Sequence, residues 1–423
     1  MQKEEIHDTA ATAPAMEGTQ TYTRLDEASQ APAYKLQPAV MFMFAIACGL
    51  SVANVYYAQP LLDAMALDFG ISHASVGIVI TVSQIGSALA LLFVVPLGDM
   101  LNRRTLLLTQ LTVLVMALIV VGFAPTKGAL LPGMVALGLM ATAMTQGLIA
   151  FAATLASAEQ RGRAVGITQS GVVIGLLLAR TMAGAMADLA GWRSVYLLSA
   201  TLLVGMFFFL YRVLPRHSTS SGNITYPQLL RSMFKLFAEE PVLRNRGIIT
   251  MFMFAAFNTF WTSLVLPLSS APHFLSHTAI GAFGLLGAVG ALGAAKAGKL
   301  ADRGRGQWAS GVALSLLLLS WLPLGFTQYS LWALVAGIIL FDMAAQAIHV
   351  TNQVMIFKAR PDAASRLVGC YMIFYSIGSG AGAFLSTQAY AAGGWQGVSI
   401  LGASFSAAGL LFWLITLKKS RHF

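Results

Sequence analysis

From residue 38 onward the chain alternates between apolar runs of about twenty residues and short polar or basic breaks. A helix of that length crosses a hydrocarbon core of ~30 Å and keeps its backbone hydrogen bonds within itself. The pattern predicts twelve spans, at 38–60, 75–97, 105–124, 129–156, 165–187, 194–213, 247–268, 277–300, 308–326, 330–357, 367–391 and 395–417. The longest internal break separates six spans from six. The expected organisation is a tail over 1–37, a first six-helix bundle over 38–213, a linker over 214–246, a second bundle over 247–417 and a basic end over 418–423. Inside the linker, YPQLLRSMFKLFAEEP places Leu230, Met233, Phe234 and Phe237 on one helical face, with Arg231 and Lys235 off it. That segment reads equally as a helix lying in the membrane interface or as a plain connecting helix.

The two halves repeat. Asp99 in PLGDMLNRR answers Asp302 in KLADRGRG, 203 residues on. Arg163-Ala-Val-Gly166 answers Arg366-Leu-Val-Gly369, Gly175 answers Gly378, and Gly191-Trp192 answers Gly394-Trp395, all at the same offset. Ser72-His73 answers Ser276-His277 at 204. With an even number of spans per half, the repeats run parallel about an axis along the membrane normal.

Charge then sets the topology. The chain is 57% hydrophobic and 10% charged, with a net charge of +10. Of its 26 Lys and Arg, all but Lys127, Arg193 and Arg180 fall on one side if the N-terminus is cytoplasmic. The excess therefore reads as membrane orientation, with no nucleic-acid partner and both termini in the cytoplasm. The first 36 residues are polar with no apolar h-region, as expected of a disordered tail and not of a cleaved signal peptide. Cys48 and Cys370 lie inside spans and are expected as buried thiols.

The loop motifs resemble those of the major facilitator superfamily. That family's signature after its second and eighth helices, G-x-L-A-D-R-x-G-R-R, is similar to GKLADRGRG (298–306) and, less fully, to PLGDMLNRR (96–104), which keeps Leu97, Asp99, Arg103 and Arg104. NVYYAQPLL, RGRAVG and GWR resemble bacterial efflux permeases of the drug/proton-antiporter and arabinose-efflux type. The fold the resemblance implies is an all-α membrane protein of twelve transmembrane helices, two pseudo-symmetric six-helix bundles around a central cavity lined by the first, fourth, seventh and tenth spans. It implies a monomer in a bacterial inner membrane whose partners are the lipid bilayer and a small-molecule substrate. It also implies that Asp99 and Asp302, with Arg103, Arg104 and Arg303, close the cytoplasmic side. Two departures stand out. The fifth-span pattern G-x-x-x-G-P-x-x-G-G keeps Gly171 and Gly175 but has Leu176 for Pro and Ala179-Arg180 for Gly-Gly. The fourth-span pattern R-x-x-Q-G keeps Gln146-Gly147 but has Ala143 where the proton-linked Arg would be.

Polar residues inside spans are the candidate chemistry. In the tenth span Asp342, Gln346, His349 and Gln353 lie within an arc of about 60° at ~100° per residue. A carboxylate and an imidazole on one face are titratable groups suited to proton coupling, or else a polar face satisfied by neighbouring helices. The first span offers Tyr56, Gln59 and Asp63 on one face, with Asn54 and Tyr57 on another. Gln146, Asn258 and Trp261 join them from the fourth and seventh spans. Arg180 interrupts GVVIGLLLARTMAGAMADLAG, where a guanidinium costs at least ~2.5 kcal/mol. Three readings stand open for it: snorkelling to the interface, pairing with Asp63 or Asp342, or binding an anionic group of substrate. Its counterpart at offset 203 is Ala383, so the scaffold does not require the charge.

No phosphate-binding G-x-x-x-x-G-K-[ST] loop and no H-E-x-x-H occur. The expected function is secondary active transport without a cofactor or metal, most simply proton-coupled export of a drug-like compound, sugar or metabolite. Proton-coupled uptake or facilitated diffusion is the alternative, with an intramembrane enzyme or sensor a distant third.

Overall fold

The computed structural model describes residues 37–157, 159–215, 225–359 and 364–420. The predicted tail up to residue 36 and the last three residues of the basic end lie outside them. Among the described residues, ten continuous helical runs are long and apolar enough to cross a membrane. Two of these, His277–Gly325 and Arg366–Leu417, are each two spans joined by a break at glycine. Gly304 (φ 80°) and Gly394 (φ 58°) take left-handed conformations that residues with a Cβ avoid. Twelve spans result, as the apolar pattern predicts.

In chain order the first half holds α1 (Pro38–Phe69), α2 (Ile78–Gly98), α3 (Arg103–Gly122), α4 (Lys127–Leu155), α5 (Arg161–Ala190) and α6 (Trp192–Val213). The linker contributes α7 (Tyr226–Glu239). The second half holds α8 (Pro241–Leu268), α9 (277–303), α10 (306–325), α11 (Leu331–Ala359), α12 (366–392) and α13 (395–417). The end carrying α7 is called here the linker end, and the opposite one the far end. Several helices exceed the expected spans: α1 continues past Pro60 to Phe69, and α8 starts at Pro241, where a proline suits a first helical turn. Gly191 (φ 81°) turns the chain between α5 and α6, as Gly394 does between α12 and α13. The tryptophan after each turn is tied down, Trp192 Nε1 to Asp68 and Trp395 Nε1 to the Leu324 carbonyl.

Small residues set the helix spacing. Gly171 and Gly175 of α5 pack on the backbone of Ala45 and Gly49 of α1, and Gly378 and Gly382 of α12 pack likewise on Met251 and Ala255 of α8. The small residues of α5 thus form mostly an intra-half seam, and toward the far end Gly184 meets His277 of the other half. In α9, Gly281 meets the Arg180 backbone across the halves, whereas Gly290 and Gly293 pack on α11 of their own half.

The linker helix differs from its expected orientation. Leu229, Met233 and Leu236 are the buried stripe, with Leu230 and Phe237 half-buried and Phe234 exposed. Of these, Met233, Leu236 and Phe237 pack on Leu243, Ile356, Cys370 and Tyr371, so that part of the apolar face of α7 is covered by protein. Cys48 and Cys370 are buried and free.

The α1–α5 seam generates a stability prediction. A Cβ at Gly49 would lie 2.8 Å from the Gly171 carbonyl oxygen. Gly49→Val therefore forces the helices apart and costs about 1–3 kcal/mol by overpacking. The check is the thermal unfolding midpoint in detergent, which falls for Gly49→Val and is unchanged for Gly205→Val, where nothing lies within 4 Å.

Candidate functional site

Between the halves lies a cavity of about 440 Å³. From the first half Tyr56, Thr142, Thr145, Gln146 and Gln169 face it, and from the second Phe254, Phe257, Gln346, His349 and Gln353. Its walls extend toward the linker end, reaching Val165, Phe357 and Val368. At its closed end the Tyr56 and Tyr375 hydroxyls, one from each half, are 2.5 Å apart.

Beyond that closure the halves touch directly. Gly77 packs on the Ala383 backbone, Thr81 Oγ1 donates to the Gly380 carbonyl at 3.0 Å, and Thr387 Oγ1 to that of Ala74 at 3.1 Å. On the other flank Thr181 Oγ1 donates to the Gly281 carbonyl at 3.1 Å. The molecule is closed at its far end and open toward the linker end.

Arg180 lies in this closed region, only 3% exposed. Its Nε donates to Gln59 Oε1 at 2.7 Å, and Gln59 Nε2 donates to Asn258 Oδ1 at 3.2 Å, a chain from α5 through α1 to α8. Gln59 sits in a 3₁₀ turn beside Pro60, which has no N–H to continue the α-helical ladder. The guanidinium carbon is 4.0 Å from the Trp261 ring centroid, 5.3 Å from that of Tyr56 and 5.8 Å from that of Phe257. Aromatic faces stabilise a desolvated cation by ~2 kcal/mol or more. Snorkelling is thereby excluded, as is pairing with Asp63, which is engaged elsewhere.

Asp342 is the carboxylate within electrostatic reach of Arg180, beside the Trp261 indole. It is 5% exposed and lies behind the cavity wall, whereas its stripe partners Gln346, His349 and Gln353 face the cavity. Arg180 Nη2 and Asp342 Oδ1 are both buried without a hydrogen-bond partner. Two glycines of α9 make room for them. A Cβ at Gly284 would lie 3.3 Å from Arg180 Cδ, and one at Gly287 would lie 2.8 Å from Asp342 Oδ2. An unmet buried ionic group is costly, so this pair is a strained element at the boundary of the halves.

A second network starts at His349. Its Nδ1 is 3.0 Å from the Tyr371 hydroxyl and its Nε2 is 3.2 Å from Gln353 Nε2. Thr250 Oγ1 donates to Tyr371, Asn352 Nδ2 donates to Thr250, and the buried Arg246 donates to Ser310 and to Asn352 Oδ1. An amide can present either its oxygen or its nitrogen, so Gln353 can satisfy His349 both neutral and protonated.

Other expected site residues fall elsewhere. Asn54 accepts from Ser199 and donates to the Leu50 carbonyl, joining α1 to α6 away from the cavity. Gln59, Asn258 and Trp261 form the roof over the cavity and not its wall. The expected closure of the basic end by Asp302 across the halves is replaced by a local contact. Asp302 is exposed, with Lys358 of its own half 3.8 Å away, and Arg303 is exposed. Arg103 donates to the Gly98 and Ala150 carbonyls and to Thr154, and Arg104 to the Tyr211 carbonyl, all within the first half. These contacts are made within one half. The Asp99 side chain lies outside the described residues.

Tyr371, Tyr375, Arg246 and His277 escape the sequence reading. The tyrosines sit in an apolar run without polar period, and Arg246 looks like one of the basic loop residues. Only the repeated Ser-His dipeptide points to His277.

Two helical bundles enclosing a cavity that reaches one membrane face are the architecture of a solute transporter. The chain belongs to the Major Facilitator Superfamily, which it matches over residues 44–359, and it is a transporter, not an enzyme. It is 41% identical over 382 residues to the "Uncharacterized transporter YgaY" of Escherichia coli O157:H7, spanning 90% of this chain and 96% of that one. It is 22% identical to the "Probable sugar efflux transporter" of Pasteurella multocida, spanning 91% and 94%. In fold it is similar to a bacterial homolog of the human lysosomal transporter Spinster in an inward-facing and unoccupied conformation (TM-score 0.75, 15% identity, 90% and 97% covered).

The buried pair generates a double-mutant prediction. Arg180→Met and Asp342→Asn each lower the thermal midpoint, since each leaves a charge without its counter-charge. The double variant loses less than the sum, by about 1 kcal/mol or more of coupling. Strict additivity in thermal unfolding means that the two charges do not interact.

Proposed function

We propose that the protein exports a small neutral organic solute by alternating access, driven by protons entering in exchange, with the linker end in the cytoplasm. The observation that carries this reading is the cavity itself. Both halves wall it, it reaches the basic linker end, and its closed end holds a buried Arg–Asp pair on opposite halves. Rocking of the halves changes the separation of that pair, so the proton occupancy of Asp342 and the direction of opening are linked.

The cavity's chemistry supports a neutral, hydrogen-bonding solute. Gln146, Gln169, Gln346 and Gln353 offer paired donors and acceptors from both halves, and Tyr56, Phe254 and Phe257 offer flat apolar faces. Among the described residues, neither Asp nor Glu lines the space, nor does Lys or Arg. Hydroxyl-rich or heterocyclic molecules fit that lining better than permanently charged ones. The name of the Pasteurella relative, a sugar efflux transporter, agrees in class. His349, with its adaptable partner Gln353, is a second group able to carry a proton at the cavity wall. The basic residues clustered at the linker end support the orientation.

The test is flux of a labelled aryl glycoside in proteoliposomes under an imposed pH gradient. Native protein accumulates the label against its gradient. Asp342→Asn equilibrates it but does not accumulate it, and His349→Gln lowers accumulation several-fold. Equal gradient-driven accumulation by native protein and Asp342→Asn removes Asp342 as the coupling acid.

A further inference from the structure

At the far end two carboxylates of the first half meet around one imidazole of the second. His277, the first residue of α9, directs Nε2 at Asp63 of α1, 3.0 Å from Oδ1 and 3.2 Å from Oδ2. Its Nδ1 lies 3.0 Å from Asp188 Oδ1 at the end of α5. Asp188 also accepts from the backbone N–H of His277 at 3.2 Å, from that of Thr278 at 2.8 Å and from the Thr278 hydroxyl at 2.6 Å. One residue of the second half is therefore clasped between two carboxylates of the first.

The geometry restricts the charge state. A neutral imidazole has one N–H and one lone pair, so it can donate to only one carboxylate and sets its lone pair against the other. An imidazolium donates at both nitrogens, with charge-assisted bonds on each side. The three side chains are 15–27% exposed, so protons in the adjoining water can reach them while solvent screening is reduced. Asp63 and Asp188 are the charged groups in contact with the ring. Asp68, further along α1, is engaged by Arg193 and Trp192 of α6, and His273 lies 3.0 Å from the Thr327 carbonyl.

The internal repeat separates this cluster from ordinary scaffold. At the 203-residue offset Asp63 maps to Leu266 and Asp188 to Ala391. His73, the counterpart of His277, is exposed. Its flank of the mouth is closed by the neutral contacts of Thr81 and Thr387 already described. Closure as such needs no charge, and among the described residues only the His277 flank joins the halves through a titratable one.

We propose that His277, Asp63 and Asp188 form an external proton-binding site, distinct from Asp342, whose occupancy holds the outer mouth shut. The proton comes from external water and returns to it, and only an N–H bond is made or broken. Loss of the proton leaves a lone pair facing a carboxylate, and the two halves separate at this flank. External acid thus favours the inward-facing form. This rests on the reading that the far end faces outside and the halves rock, and is independent of coupling at Asp342.

The test is a distance across the outer mouth in nanodiscs, without solute or gradient. Spin labels are attached to Lys127→Cys on the first half and Tyr329→Cys on the second, both exposed, while the buried native cysteines stay unlabelled. Raising the pH from about 5 to about 9, across the ordinary imidazole range, increases the open-to-closed ratio at least tenfold in otherwise native protein. His277→Gln and the double variant Asp63→Asn/Asp188→Asn show the same two distances with no such pH dependence. The double variant keeps the histidine and guards against a folding defect in the first. A flat response in native protein, or a native-like response in His277→Gln, overturns the proposal. Because no flux is read, failure of Asp342 as coupling acid leaves this result intact.

Discussion

A guanidinium buried in an apolar bundle must be answered by its surroundings, and much of the closed end of this protein is the answer to Arg180. Three aromatic rings surround it, Gln59 accepts its Nε, and Asn258 extends the hydrogen bonding into the other half. Gly284 leaves room for its methylenes and Gly287 leaves room for the carboxylate that balances it. These partners come from both halves, so the satisfaction of one charge depends on how the halves are docked. The arrangement is incomplete, with one guanidinium nitrogen and one carboxylate oxygen unmet. A fully satisfied pair would lock the closed form, and an absent one would leave nothing to sense it.

The fold was legible because its signals are redundant. Apolar length, basic asymmetry and the 203-residue repeat each speak of the whole chain, and an error of a few residues in any span leaves the architecture unchanged. The site was legible only where polarity is periodic. Gln346, His349 and Gln353 were found by helical spacing and do face the cavity. Asp342 shares their stripe but lies behind the wall, because helix periodicity gives a direction and not a depth. Asn54 was misread for a related reason: a polar residue within a span is as well satisfied by Ser199 of a neighbouring helix as by solute. Tyr371 and Tyr375 were missed because tyrosine counts as apolar in such patterns until its hydroxyl partner is seen.

Charges at the two ends behave differently, and the difference follows from which end is open. At the linker end Arg103, Arg104 and Lys358 bond to carbonyls of their own half. These bonds need no contribution from the opposing half. At the far end His277, Asp63 and Asp188 are shared between halves. The side chains at either mouth therefore report the docking of the halves, and those at the parted end carry no information about what they would touch once closed.

The far-end closure is largely backbone against backbone, at Gly77 with Ala383, Gly184 with His277 and Gly281 with Arg180. In that seam a Cβ on any of the three glycines would fall 2.0–2.3 Å from the facing carbonyl oxygen. A membrane that stores energy as a difference in proton concentration is discharged by any continuous aqueous thread, however narrow. If a proton gradient drives the transport proposed above, the glycines that let the helices come so close would also act as electrical insulation while the cavity stands open on its other side.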